Sequence, residues 1–366
     1  MSSKTLLVMA GGTGGHVFPG LAVAQTLEQQ GWTIHWLGTA QRMEADIVPK
    51  HGYPIHFVDV SGVRGNGLKR LLFAPLMVIR AIVQALKIIK NVKPNVVLGM
   101  GGYASGPGGV AAWLCGKPLI LHEQNAVAGT TNRLLAPLAR KILTGFAIHD
   151  WHKAKGKITH VGNPVRTDFA NIEPLSIENR PIRILVTGGS LGAQALNQQM
   201  PKTFSQLKNF DFEVRHQTGR GKIDAVKSGY QSHCEDSFTW QAEEFVDDMV
   251  AAYAWADVIV CRAGALTVAE VALAGRCAIF VPLPHAIDDH QTKNADSLAQ
   301  HEAALCIKQS ELDEGAMTAR LKELMEQPEK ILNIAQSARK LAHKKATQLV
   351  ADVCLNEATP IREGAR

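Results

Sequence analysis

The stretch Leu6-Leu7-Val8-Met9-Ala10-Gly11-Gly12-Thr13-Gly14-Gly15 decides the fold. A short run that is apolar on both faces reads as a strand of a parallel sheet covered on both sides. The glycines after it make a tight turn into a helix that starts at once. The same unit returns as Ile184-Leu185-Val186-Thr187-Gly188-Gly189-Ser190-Leu191-Gly192. Each copy is a strand, a glycine turn carrying one hydroxyl, and a helix.

Working outward, strand-type runs alternate with helical runs. Thr5–Met9, Thr33–Leu37, Ile55–Val60, Asn95–Leu98, Pro118–His122 and Lys141–Thr144 read as strands of a first half. Ile182–Thr187, Glu213–Gln217, Asp257–Cys261 and Cys277–Val281 read as strands of a second. Leu21–Gln30 reads as a helix stopped by Gly31 at the position after its C-cap. The pattern predicts an α/β chain of two doubly wound halves that face one another. The break falls near Gly162–Arg166, giving domains 1–163 and 164–341. The final helical stretch, within 342–366, has no strand after it and is expected to pack back on the first half. A length of 366 residues suits two such domains.

Composition narrows the class. At 46% apolar residues the chain is no disordered polymer. The charge of +6, from 39 Lys+Arg against 33 Asp+Glu, favours an anionic partner without choosing one. Six cysteines form no C-x-x-C pair, and several sit in apolar runs, which predicts buried free thiols in a reducing compartment. No secretory leader is read at the N-terminus, and no apolar run approaches the ~20 residues of a membrane span.

Each glycine loop can approach an anion, with a helix N-terminus behind it, or can be a bare turn. The nicotinamide fingerprint fails, because Val17 holds the third glycine position and Trp36-Leu37-Gly38 ends without an acid. The phosphate loop of nucleoside triphosphatases fails, because Gly221-Lys222 precedes Ile223. A third cluster, Gly99–Gly109, holds six glycines. It reads as tight helix packing or as a second anion site with Ser105 as donor. His122-Glu123-Gln124-Asn125 ends a strand, where sugars or bases are held, or starts a capped helix at Asn125. Glu270, a turn and a half into the helix after Arg262-Ala263-Gly264, suits a ribose diol or simply stabilises the helix. His285, Asp288, Asp289 and His290 lie close together, but in a proline-bounded loop without a matching pair elsewhere, so no metal is assigned. No D-x-D occurs in the chain. Leu68–Lys90 is apolar with a basic fringe of Lys69, Arg70, Arg80, Lys87 and Lys90, and Pro75 is expected to split it into two helical pieces. It suits an anionic bilayer surface, or an ordinary crossover helix with solvated lysines.

Taken in order, Gly11-Gly12-Thr13-Gly14-Gly15-His16, Gly101–Pro107, His122–Asn125, Gly162-Asn163-Pro164-Val165-Arg166, Gly188–Ala193 and Ala265–Glu270 resemble the motifs of the bacterial MurG glycosyltransferases, glycosyltransferase family 28. The resemblance runs over essentially the whole chain. It implies a GT-B fold, two Rossmann-like domains across a cleft. It implies transfer of N-acetylglucosamine from UDP-N-acetylglucosamine to undecaprenyl-diphosphate-muramyl-pentapeptide, with inversion and without a cofactor. It places the protein peripherally on the cytoplasmic face of the inner membrane, with an anionic membrane surface and no nucleic acid as partner. By the same resemblance, Ser190 and its loop hold the donor diphosphate and Arg166 adds charge. Glu270 binds the ribose. The backbone of Ala265, Leu266, Thr267, Val268 and Ala269 meets the diphosphate and sugar. Val246 touches uracil through its backbone, and Gln291 and Asn125 contact the sugar. Thr13, Gly14 and Gly15, with Tyr103 and Ser105, are placed for the acceptor diphosphate or the facing side of the donor. His16 is the expected base, since a histidine titrates near working pH.

Three rivals remain. A UDP-N-acetylglucosamine 2-epimerase would share the donor loops without needing the basic apolar segment. A nicotinamide dehydrogenase lacks its acidic residue here. A membrane-docked module would bind the nucleotide sugar without turnover.

Overall fold

The computed structural model describes residues 3–358 except 61–66, 149–150, 152–153, 155, 179, 190–191, 235–236, 285–288 and 314, with the backbone alone for 67–74. The chain divides into two compact units, Met1–Arg166 with Lys345–Arg366, and Thr167–Lys344.

The first unit runs β1 (Thr5–Ala10), α1 (Gly14–Gln29), β2 (Thr33–Gly38), α2 (Glu44–Lys50), β3 (Ile55–Phe57), α3 (Gly67–Val92), β4 (Val96–Gly101), α4 (Ser105–Leu114), β5 (Leu119–Glu123), α5 (Thr130–Leu135), β6 (Lys141–Thr144) and β7 (Ile158–His160). Its sheet has the order β3-β2-β1-β4-β5-β6-β7, with every pair parallel. The alternation of β1 explains the two-sided apolar run. Leu6, Val8 and Ala10 enter one core cluster with Val17, Leu21 and Trp36, while Leu7 and Met9 enter another with Ala85, Ile89 and Leu121. Trp36 is fully buried and its indole N–H donates to the Ala10 carbonyl at 2.8 Å, closing the end of β1.

The second unit runs β8 (Ile182–Thr187), α6 (Gln194–Ser205), β9 (Phe212–Gln217), α7 (Ile223–Cys234), β10 (Thr239–Glu243), α8 (Met249–Trp255), β11 (Val258–Cys261), α9 (Ala265–Ala274), β12 (Cys277–Phe280), α10 (His290–Ala299), β13 (Leu305–Cys306), α11 (Ala316–Glu326) and α12 (Pro328–Lys340). Its parallel sheet has the order β10-β9-β8-β11-β12-β13. Two buried charges hold its entry segment. Arg180 forks onto Asp257 at 2.6 and 2.7 Å, and Arg276 donates to the carbonyls of Glu173, Tyr253, Ala254, Ala274 and Gly275. Burial pushes the Arg276 guanidinium down to about 10, which leaves it charged at neutral pH. It neutralises the carbonyl ends of α8 and α9.

The last helix, α13 (Ala346–Glu357), packs on α1 and so completes the first unit. Val350, Ala351 and Cys354 join the core cluster of Leu6 and Val8, and Thr347 donates to the Val165 carbonyl at 3.0 Å.

Two expectations are corrected, and three strands lie outside the sequence pattern. Pro75 does not divide Leu68–Lys90, because α3 continues through it. Proline forfeits one intrahelical hydrogen bond, and the turns beyond it are held on the core by Ala81, Ala85 and Ile89. The third strand ends at Phe57 rather than Val60. The short edge strands β7, β10 and β13 escaped the apolar pattern because their faces are partly polar and half-exposed.

The role of α13 has a direct test. Val350 is fully buried, whereas Leu349 on the same helix is 41% exposed. Val350→Ala is expected to lower stability by about 2 kcal/mol, and Leu349→Ala by under about 1 kcal/mol, in urea unfolding.

Candidate active site

In an open parallel sheet the strand order reverses at one place, and the loops at the carboxyl ends of the two strands there diverge to leave a crevice. In the first sheet that place is β1 beside β4, and in the second it is β8 beside β11. The loops leaving these strands are the glycine segments 11–13, 102–104, 188–193 and 262–264. Topology thus collects the motifs of each half at its own crevice.

In the first unit the glycine loop is held from beneath by Glu44, a fully buried carboxylate at the start of α2. It accepts from the Gly12 N–H at 2.9 Å, and from the Thr39 N–H and hydroxyl at 3.1 and 2.7 Å. Gly102, at φ +86°, lies on this loop so closely that a side chain would collide with the Gly11 carbonyl. Thr13 is exposed as the N-cap of α1 but its side chain makes no capping bond, and Gly14 and Gly15 form the first turn. His16 follows, half-buried, with Nδ1 2.8 Å from Oε1 of Gln124. Gln124 Nε2 lies 3.0 Å from Nδ1 of His122, and His122 Nε2 lies 3.0 Å from the Gly162 carbonyl. Burial pushes the His122 imidazole down to about 4, so it is neutral at physiological pH.

The polar run His122–Asn125 reads in sequence either as ligand contacts, with Asn125 the assigned one, or as a capped helix start. Its first three residues are buried. Glu123 accepts from the N–H groups of Asn125 and Gly129 and from the Asn132 amide at 2.8 Å. It shapes the loop that leaves Asn125 half-exposed. Ser105 is corrected as well: its hydroxyl is wholly buried, 2.9 Å from the Met9 carbonyl and 2.7 Å from that of Gly101. It ties β1 to β4 and has no surface with which to meet an acceptor. Tyr103, two residues before, is 46% exposed and retains that freedom.

In the second unit the two ends of the loop after β8, Gly189 and Gly192, lie against the neighbouring strand's end. Gln217 donates to the carbonyls of Gly189 and Glu244 and accepts from the Thr187 hydroxyl. Asn197 donates to the Thr218 carbonyl at 2.8 Å, while a side chain at Gly192 would collide with that same carbonyl. Ser190 and Leu191 lie outside the described residues. Helix α9 opens at Ala265 after its N-cap Gly264, and its first turn contains Leu266, Thr267 and Val268. Ala269 and Glu270 follow, both half-buried. The buried Tyr253 hydroxyl hydrogen-bonds Glu270, which orients the carboxylate, and the Tyr253 phenol is raised by its burial and by that charge. Val246 is half-buried between β10 and α8. Gln291, in the first turn of α10, accepts from the Leu283 N–H at 2.9 Å. Arg166 is exposed at the last residue of the first unit, where the sequence reading had placed it in the second. His285 and Asp288 lie outside the described residues, and among those described no three His, Cys, Asp or Glu side chains cluster as metal ligands.

Sequence reasoning missed Glu44, Tyr253 and Gln217. Each is a lone polar residue without a motif around it, and burial beside a loop is its only mark.

Known proteins share both halves. Residues 6–144 match the glycosyltransferase family 28 N-terminal domain, and residues 183–352 match the glycosyltransferase family 28 C-terminal domain. The UDP-N-acetylglucosamine–N-acetylmuramyl-(pentapeptide) pyrophosphoryl-undecaprenol N-acetylglucosamine transferase of Pseudoalteromonas atlantica is 57% identical over 96% of this chain and 95% of its own length. The protein of that name from Aeromonas hydrophila is 55% identical over 98% of each chain. The crystal structure of Acinetobacter baumannii MurG superposes with a TM-score of 0.80 at 38% identity, covering 96% of this chain and 99% of the other. The chain belongs to glycosyltransferase family 28.

Proposed function

We propose that this protein transfers N-acetylglucosamine from UDP-N-acetylglucosamine to the C4 hydroxyl of undecaprenyl-diphosphate-muramyl-pentapeptide. The observation that carries the reading is full-length similarity, at 57% identity, to a transferase named for that donor and acceptor. The geometry of each unit supplies a chemical role. The second unit binds the donor. The first turn of α9 turns its dipole toward the diphosphate, and Glu270, oriented by Tyr253, accepts from the ribose hydroxyls. Ala265 through Ala269 line this stretch, Val246 meets uracil, and Gln291 and Asn125 meet the sugar. Ser190 and Arg166 bear on the diphosphate. The first unit binds the acceptor through Thr13, Gly14, Gly15 and Tyr103, and supplies the base.

The reaction is one displacement. The acceptor C4 oxygen attacks the anomeric carbon, and the bond to the diphosphate breaks with its electron pair going to UDP. The hydroxyl proton passes to His16. Charge growing on the leaving diphosphate is met by backbone N–H groups and the helix dipole.

The acceptor is a lipid, and α3 is built to meet its membrane. Ala81, Ala85 and Ile89 face the core, whereas Leu76, Ile79 and Val83 lie on the opposite stripe, 66%, 57% and 45% exposed. Arg80, Lys87 and Lys90 fringe that stripe and are exposed. Neighbouring α4 exposes Trp113 and Leu114, and α5 exposes Leu134. Among the described residues no helix is long and apolar enough to cross a membrane. Apolar side chains with a cationic fringe favour an anionic leaflet, at the cytoplasmic face where the donor is found.

Two experiments test these roles. UDP release is expected to require the muramyl-diphosphate lipid and to persist in EDTA. His16→Ala is expected to lower kcat by about 10²–10⁴-fold with donor affinity unchanged. Donor isomerisation without acceptor would favour an epimerase, and tight donor binding without release would favour a binding module. In vesicle flotation, binding is expected to grow with anionic lipid and to fall with salt, and Leu76→Asp with Ile79→Asp is expected to abolish it. Binding indifferent to lipid charge would contradict the docking role.

A further inference from the structure

His16 is joined to the interior by a chain of side chains whose hydrogens can be placed one by one. The chain ends on two backbone carbonyls, which only accept. The Gly162 carbonyl lies 3.0 Å from His122 Nε2, so that nitrogen carries the hydrogen. A neutral His122 then has its lone pair on Nδ1, and the donor to it is Gln124 Nε2 at 3.0 Å. The same amide nitrogen lies 3.1 Å from the His122 carbonyl, a second acceptor. Both hydrogens of the Gln124 amide are thereby assigned, and the amide cannot be turned over without setting oxygen against oxygen. Oε1 is left toward His16, 2.8 Å from Nδ1, and an amide oxygen only accepts. The Gln124 carbonyl accepts from Asn163 at 3.0 Å, so the backbone of the link is fixed too. Gly101 closes the other side: a Cβ there would sit 2.8 Å from Cε1 and 2.9 Å from Nδ1 of His16, so the imidazole packs directly against bare backbone.

We propose that Gln124 and His122 are positioning residues that hold His16 as its Nδ1–H tautomer, leaving the Nε2 lone pair to take the acceptor proton. The inference rests on His16 being the base. It adds which nitrogen acts and what selects it. His122 is fully buried and holds its own tautomer between the Gly162 carbonyl and the Gln124 amide, its ring partners among the described residues. The titratable groups bearing on it are His16 and His160. Nothing along the chain need gain or lose a proton as His16 does: it is a fixed template and not a wire. The second unit shows the contrast. There His216 bonds Asn197 and Tyr230 and is wholly buried, so that network ends inside the core. The first unit's network, by contrast, ends on a half-exposed imidazole.

The test is nitrogen NMR of the full-length protein labelled in histidine, with His16 assigned by its loss in His16→Ala. Above the titration range, His16 is expected to show a protonated Nδ1 and an unprotonated Nε2. Gln124→Met is expected to shift it toward the Nε2–H form and to lower kcat by about tenfold or more, with the donor KM unchanged. An Nε2–H tautomer in the unsubstituted protein would overturn the proposal, and that spectrum needs no variant to fold. Wild-type turnover in Gln124→Met despite an altered tautomer would overturn it as well. Full activity in His16→Ala would instead sink the base assignment, while the tautomer result would stand.

Discussion

A strand leaving a parallel sheet at its carboxyl end must release backbone N–H and C=O groups from the ladder, and buried groups of this kind cannot be left unpaired. Most of the polar machinery here answers that constraint. Glu44 takes the Gly12 N–H, Glu123 takes those of Asn125 and Gly129, Gln217 meets the Gly189 and Glu244 carbonyls, and Asn197 meets that of Thr218. Ser105 meets the carbonyls at the ends of β1 and β4. With these groups satisfied from beneath, the side chains left on top can be reserved for ligand.

Glycine serves the same end by omission. At Gly102 and Gly192, both at positive φ, any side chain would strike a backbone carbonyl of the neighbouring loop. The Gly102 contact lies at the strand reversal between β1 and β4, whereas the Gly192 contact ties the loop after β8 to the one after β9. A buried carboxylate such as Glu44, three donors deep, is costly to desolvate and specifies one conformation in return.

The repeated strand–glycine–helix unit was legible because hydrophobic runs and glycine turns are local signals. The sheet orders follow from them, since right-handed crossovers between short parallel strands leave few arrangements. What was not legible depends on where a side chain points. His122, Glu123 and Gln124 look like ligand groups in a polar run beyond a strand, yet the chain turns them inward, and only Asn125 stays half-exposed. Ser105 was misread for the same reason. Glu44 and Tyr253 carry no motif at all, and the contacts that give them meaning come from residues distant in the chain. The edge strands β7, β10 and β13 were lost because half-exposed strands do not keep an apolar pattern.

The central claim is a single displacement, in which one histidine takes the acceptor proton while backbone N–H groups receive the charge on UDP, and no side chain bonds covalently to the sugar. Such a step must invert the anomeric carbon, whereas a covalent glycosyl intermediate would retain it. The most direct measurement is the proton coupling at the new glycosidic linkage, formed from the α-linked donor. The account predicts a β linkage throughout. An α linkage would contradict it.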